Sequence, residues 1–229
     1  MSTATLNAPS GTATIGTMLD TLGRLLSYPG ADFEELLAQA SDTIDSLPLI
    51  AFCGALGALD QDTREELYTA TFDVTPQCVP YVSIHLFGEE NFKRGEFMAA
   101  LHNRYAMLEF DTGGELPDHI ALMFRHASQL DESERRELIG FCVLGPLDTM
   151  IRMLAEDHPY RFLLDAAVDV LHAHYPDLQP ALSPLEQMRR HGSECPTVSA
   201  ACNCGVPPSA EPSAHFSTMS HPAPITPPP

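Results

Sequence analysis

The sequence has few basic residues. Twelve Lys and Arg stand against 31 Asp and Glu, so the formal net charge of the 229 residues is −19. A surface this acidic repels the phosphates of nucleic acids and of anionic membranes, which argues against nucleic acid as a partner. We expect a neutral or basic partner, and a positively charged peptide would be attracted toward this surface.

Long apolar runs and a disulfide framework are also missing. No stretch approaches the roughly 20 apolar residues that span a bilayer. Residues 1–16 lack the charged start and apolar centre of a secretory signal, and the six cysteines are not spaced as a disulfide framework. Together these absences predict a cytoplasmic protein without stable membrane insertion.

No nucleotide-binding loop, zinc motif or catalytic triad is present. Cys195, Cys202 and Cys204, with His191 upstream, are four soft ligands, but the single residue between the last two cysteines matches no standard zinc spacing. We therefore predict a protein that is not an enzyme and has no cofactor or structural metal. Metal or thiol handling through these three cysteines remains an alternative function.

Apolar residues recur at helical spacing from Ile15 onward, and no convincing alternating strand is present. The pattern predicts an all-α fold, with a single-domain helical bundle over residues 15–185. Residues 49–59 are nearly all apolar or small, which predicts a segment buried on several sides. Further helices are predicted at residues 15–26, 33–47, 62–72, 91–110, 117–129, 133–143, 146–156 and 160–175.

Composition and local motifs predict where ordered structure begins and ends. Asp32, with Glu35 three residues later, is similar to a capping box, and Pro48 is predicted to close the helix that follows. Residues 1–14 are predicted to be a disordered lead. Residues 186–229 hold nine of the twenty prolines and no apolar periodicity, which predicts a disordered tail.

Two short segments place polar side chains among large apolar ones. Residues 81–88 read Tyr-Val-Ser-Ile-His-Leu-Phe-Gly, and residues 115–119 read Glu-Leu-Pro-Asp-His. Taken singly, the first suits a short buried helix and the second a helix start capped by Asp118. Taken together, they suit a peptide-binding cleft: carboxylates flank a rigid proline in the second segment, and Tyr81 and His85 share one helical face in the first. The predicted peptide-binding residues are Tyr81, His85, Leu86, Phe87, Glu115, Pro117, Asp118 and His119.

These segments belong to an ordered series of short motifs that covers roughly residues 15–180. The motifs are Tyr68-Thr69-Ala70-Thr71-Phe72-Asp73, Tyr81-x-x-x-His85-Leu86-Phe87-Gly88, Arg94-Gly95, Glu115-Leu116-Pro117-Asp118-His119, and His158-Pro159-Tyr160-Arg161 with Leu163-Leu164. In this order the series resembles the NarJ branch of the NarJ/TorD/DmsD family. These proteins are the assembly chaperones of molybdenum oxidoreductases.

The resemblance implies an all-helical chaperone that binds the N-terminal leader of a catalytic molybdenum-containing subunit of the DMSO-reductase family. Such a leader is often a twin-arginine signal peptide or its remnant. The resemblance also implies assistance in molybdenum cofactor insertion and assembly before export or membrane attachment, with cofactor-delivery proteins as further partners. By the same resemblance, Glu115, Pro117, Asp118 and His119 form a peptide-binding hinge, and the segment with Tyr81 and His85 forms its wall. The identity of the client enzyme stays open.

Overall fold

The structure, a computed structural model, describes residues 13–192. These residues form eleven α-helices and one π-helical turn, and apart from one isolated bridge they contain no β-structure. The predicted all-α fold is confirmed. In chain order the elements are α1 (Ile15–Leu25), α2 (Phe33–Thr43), α3 (Leu47–Gly57), α4 (Gln61–Phe72), α5 (Val82–Phe87), α6 (Phe92–Met107), α7 (Ile120–Gln129), α8 (Glu132–Leu138), the π-turn (Ile139–Val143), α9 (Leu144–Met153), α10 (Pro159–His174) and α11 (Pro184–Gly192).

Helix α1 packs closely along α7, and a glycine makes the approach possible. A Cβ atom on Gly23 would lie 2.7 Å from the carbonyl oxygen of Ala121 and 2.6 Å from Cγ of Arg125. The apolar stripe predicted for α1 supplies buried leucines such as Leu19 and Leu22 to this contact. The close packing places the end of α1 beside the start of α7, where the candidate site lies.

Four aromatic rings from three helices meet in the core. Phe52 of α3, Tyr68 and Phe72 of α4, and Tyr160 of α10 are all buried. The centroids of Phe72 and Tyr160 lie 4.9 Å apart, and those of Tyr68 and Tyr160 lie 5.9 Å apart, both in edge-to-face geometry. Such pairs add to the free energy gained by burial, so this cluster fixes α4 and the direction of Tyr68.

Helix α2 begins where the sequence predicts, but its predicted capping bond and its predicted end are wrong. Asp32 makes no side-chain capping bond to α2 and instead pairs with Arg24 at 3.2 Å. Helix α2 ends at Thr43, and Pro48 lies in the first turn of α3 rather than closing α2. A proline fits there because the first turn of a helix has no use for the missing N–H.

The apolar segment 49–59 is buried on one side only. Leu49, Phe52 and Leu56 face the core, whereas Leu47 and Ile50 are 81% and 52% exposed. The predicted burial on several sides is therefore wrong. Helix α3 packs on α10 and α2 and keeps an outer face that no described element covers.

The C-terminal part of the described chain extends further than the sequence predicts. Helix α11 runs from Pro184 to Gly192, into the segment predicted to be disordered from residue 186. The segment before it crosses the π-turn, where the backbone N–H of Ala181 donates to the carbonyl of Gly140 at 3.0 Å. The remainder of the predicted tail, 193–229, and residues 1–12 of the predicted lead lie outside the described residues. Within residues 13–192, no helix is long and apolar enough to cross a bilayer.

Candidate functional site

The two segments singled out in the sequence meet in space. Tyr81 and His119 form an isolated antiparallel bridge. The backbone N–H of Val82 donates to the carbonyl of Asp118, and that of Ile120 donates to the carbonyl of Pro80, both at 2.9 Å. The starts of α5 and α7 are therefore held side by side, although more than thirty residues separate them along the chain.

Asp118 holds this junction together from inside. It is fully buried, and its Oδ2 accepts hydrogen bonds from Ser83 Oγ at 2.5 Å and from the Ser83 backbone N–H at 3.3 Å. Arg94 Nε donates to the same Ser83 hydroxyl at 2.9 Å. Nearby, the Tyr105 hydroxyl donates to the Pro117 carbonyl at 2.9 Å. Asp118 thus joins α5 to the loop before α7, and its side chain does not cap α7.

The cap of α7 is His119. Its Nδ1 accepts a hydrogen bond from the Ala121 N–H at 3.2 Å, so in the neutral tautomer the proton lies on Nε2, 3.5 Å from the Tyr68 hydroxyl. Burial lowers the pKa of His119, although the nearby carboxylates of Glu115 and Asp118 act in the opposite direction. The imidazole is therefore neutral at pH 7.

A pocket of about 350 Å³ opens beside the bridge. Three of the predicted site residues, Tyr81, Glu115 and His119, line it. The remaining wall comes from the end of α1, from α4, from the loop after α6 and from α7. Its side chains include Tyr28, Tyr68, Phe72, Asp73, Thr112 and Arg125.

The pocket combines aromatic rings with carboxylates. Tyr28 and Tyr68 are in edge-to-face contact at 5.4 Å, and the Tyr81 hydroxyl donates to Glu115 Oε1 at 3.4 Å. Burial, followed by the charge of Glu115, raises the pKa of Tyr81. No ion pair among the described residues involves Asp73 or Glu115. Carboxylates without an ion-pair partner among the described residues, placed beside tyrosine rings, suit a cationic side chain.

One basic side chain shares the pocket wall with these acids. The guanidinium of Arg125 lies 5.1 Å from the ring centroid of Phe110, and no described ion pair includes it. Arg125 belongs to the α1 and α7 contact, where its Cγ lies against Gly23.

The other predicted residues on α5 do not line the pocket. His85 is half-buried, its Nε2 lies 2.9 Å from the Val79 carbonyl, and burial lowers its pKa. Leu86 is buried in the core, and Phe87 packs against Phe97 of α6 with centroids 5.6 Å apart. These three side chains, like those of Asp118 and Pro117, are not part of the pocket lining.

Sequence reasoning missed Tyr28, Tyr68, Asp73 and Arg125 as site residues. Tyr68 and Asp73 begin and end a motif that carries the family resemblance, and that motif was the available signal. Tyr28 stands at the break after α1, and Arg125 is an ordinary position on an amphipathic helix. Neither has a local pattern that points to the pocket.

No metal centre is apparent in residues 13–192, which contain no group of three or more His, Cys, Asp or Glu placed to hold an ion. Cys195, Cys202 and Cys204 lie outside the described residues. Metal or thiol handling by these cysteines therefore stays a hypothesis. Comparing the metal content of the full chain with that of a variant carrying serine at all three positions would test it.

Comparison with known families supplies the context for this pocket. A family model described as nitrate reductase delta subunit matches residues 30–159, more than half of the chain and both segments of the bridge. No curated protein matches the chain. The chain belongs to the nitrate reductase delta subunit family, a family of molybdoenzyme assembly chaperones.

Proposed function

We propose that this chain binds the N-terminal leader of the catalytic subunit of a molybdenum oxidoreductase. By holding that subunit, it assists insertion of the molybdenum cofactor before export or membrane attachment. The observation that carries the proposal is the pocket beside the bridge, where Asp73 and Glu115 have no ion-pair partner among the described residues and stand next to tyrosine rings. Family membership supports the class of client.

The pocket suits the guanidinium group of an arginine side chain. A guanidinium donates hydrogen bonds in a planar fork to carboxylates and also stacks on aromatic faces, so it can use both features of this wall. The volume of about 350 Å³ lies near the lower end of the roughly 300–1,000 Å³ typical of ligand pockets. The pocket therefore fits one or two side chains of an extended or helical peptide rather than a folded segment.

The overall charge assists the encounter. A net charge of −19 attracts an arginine-containing leader, but at physiological salt the attraction extends only about 8 Å from the surface. Rising salt should therefore slow association and weaken binding, while contacts inside the pocket resist screening better.

Calorimetric titration with a synthetic leader that contains two adjacent arginines tests the proposal. Glu115→Gln and Asp73→Asn remove one pocket charge each, and each should weaken binding about three- to tenfold, the loss of one partly exposed charged contact. Glu156→Gln is the matched control, because it removes an exposed carboxylate that does not line the pocket. Replacing the two arginines of the peptide by alanine should abolish the difference between variants.

Two results would contradict this assignment of the pocket. One is unchanged affinity in a folded chain that carries both pocket substitutions. The other is an equal loss of affinity in Glu156→Gln, which would mean that only the net charge matters.

A further inference from the structure

Helix α3 exposes a face without charge. From Ser46 to Leu59 no residue is charged, and the side chains that pack into the core all lie on one side of the helix. The exposed positions recur at helical spacing on the opposite side, where a surface helix ordinarily carries polar residues. They are Leu47, Ile50, Ala51, Gly54 and Ala58.

The side chains of this outer face become smaller along the helix. Its first turn presents two large side chains, Leu47 and Ile50, which are 81% and 52% exposed. Further along, a Cβ atom added to Gly54 or Gly57 would meet nothing within 4 Å, so this part of the face is low and open. Large apolar side chains at one end and a low surface at Gly54 further along suit close contact with another segment of chain.

Acidic residues flank the uncharged face at both ends. Asp42 and Asp45 precede it and Asp60 and Asp62 follow it, and all four are exposed. None of them takes part in an ion pair of the described residues. A second copy of this chain, paired through the same face in either direction, would bring aspartates against aspartates, which is unfavourable.

We propose that the outer face of α3 binds an apolar peptide segment that has basic residues at its ends. The apolar part covers Leu47, Ile50 and the open surface at Gly54, and the basic ends meet the flanking aspartates. This assignment rests on the proposed function: the segment is part of the same client leader that binds the pocket beside the bridge. The face and the pocket would then bind different parts of one ligand.

The test uses the full chain and a synthetic probe peptide with a leucine and alanine centre and two lysines at each end. Gly54→Lys places a charge in the open part of the face without a steric clash, and Gly95→Lys on α6 is its matched control, because its Cβ also meets nothing within 4 Å. A second pair uses a double variant that carries both Leu47→Ser and Ile50→Ser. Its control is Met107→Ser, because Met107 is also an exposed apolar residue, at 79%.

We expect the probe to bind the wild-type chain and to lose about tenfold or more in affinity, roughly 1.4 kcal/mol, with Gly54→Lys and with the double serine variant. Both controls should stay within about twofold of the wild type, which corresponds to a few tenths of a kcal/mol. A probe with glutamates in place of the lysines should bind more weakly, because the flanking aspartates repel it.

Three results would overturn the proposal. The first is an undetectable affinity of the wild-type chain for the lysine-flanked probe, and the second is unchanged affinity in Gly54→Lys. The third is a wild-type dimer in sedimentation that Gly54→Lys dissociates, since a second copy would then occupy the face. The two sites are tested separately: Glu115→Gln reports on the pocket with the arginine-containing leader, and Gly54→Lys reports on α3 with the lysine-flanked probe. Failure at the pocket and failure at α3 therefore give different results.

Discussion

Replacement of Asp118 by alanine should cost folding stability rather than act on ligand binding alone. The carboxylate is fully buried and accepts two hydrogen bonds from Ser83. A hydrogen bond to a charged group contributes about 1.5–3 kcal/mol to stability. In Asp118→Ala, the Ser83 N–H would also lose its partner. The other carboxylate oxygen, Oδ1, has no partner, so removing the group also relieves part of its desolvation cost.

The balance of these effects is a loss of about 2–3 kcal/mol in the free energy of unfolding. For a domain of this size, that corresponds to a decrease in Tm of roughly 4–12 °C. Glu115→Ala is the comparison from the same segment: its side chain is exposed, so its effect should stay within about 0.5 kcal/mol.

A double-mutant cycle with Ser83→Ala isolates the contact itself. Urea unfolding of the wild type, both single variants and the double variant should give a coupling energy of about 1.5 kcal/mol or more between Ser83 and Asp118. The reasoning is refuted if the coupling is near zero, or if Asp118→Ala unfolds at the wild-type urea midpoint.

Three further perturbations have defined outcomes. Gly23→Ala should lower the free energy of unfolding by about 1–3 kcal/mol in urea titrations, because its Cβ would lie 2.7 Å from the Ala121 carbonyl, whereas Gly54→Ala, in open space, should not. Burial lowers the pKa of four histidines, so below the ordinary pKa of about 6.5 the unfolded chain binds more protons than the folded chain. The free energy of unfolding should therefore be highest above that pH and fall as the pH drops below it. A urea midpoint at pH 5.5 equal to that at pH 7.5 would contradict this. These residues are His85, His119, His126 and His158. Burial raises the pKa of Cys78 to about 12 and that of Cys142 to about 11, so mass spectrometry after iodoacetamide treatment at pH 7.5 should find both unlabelled in the native chain and labelled in urea.

Helical periodicity predicted the existence of most helices but not all of their ends. Helices α4 and α10 begin and end within a residue of the predicted bounds, because their buried faces repeat regularly. The cap predicted at Asp32 fails because the Asp32 backbone, with ψ near 3°, is not extended as a capping residue requires, and its carboxylate pairs with Arg24 of another helix. Local sequence contains the capping pattern but not the competing tertiary partner.

The outer face of α3 could not be predicted for a related reason. An uncharged segment is usually buried, and the sequence carries no sign that one side of Leu47 and Ile50 stays open. Exposure there depends on which elements pack on α3: α2 and α10 cover its inner side, and Arg64 of α4 donates to the Leu56 carbonyl near its end. Helix α11 was missed because its short amphipathic pattern lies in a segment rich in proline.

The candidate site was predictable in part. Tyr81, Glu115 and His119 were found because their segments combine polar and apolar residues and occur together in the family resemblance. Tyr28 and Arg125 reach the same pocket through the packing of α1 on α7, which is a property of the three-dimensional structure. The role of Asp118 also depends on a partner, Ser83, from the other segment.

The bridge between residues 81 and 119 has a consequence for the order of unfolding. Helices depend on contacts between near neighbours, whereas this bridge closes a long loop that contains all of α6, and loop closure carries an entropic cost. We therefore expect the pocket to form later on folding, and to open earlier on unfolding, than the helices around it. On heating, the proposed peptide binding should be lost before helical circular dichroism is, so that only fully assembled molecules would be competent for it.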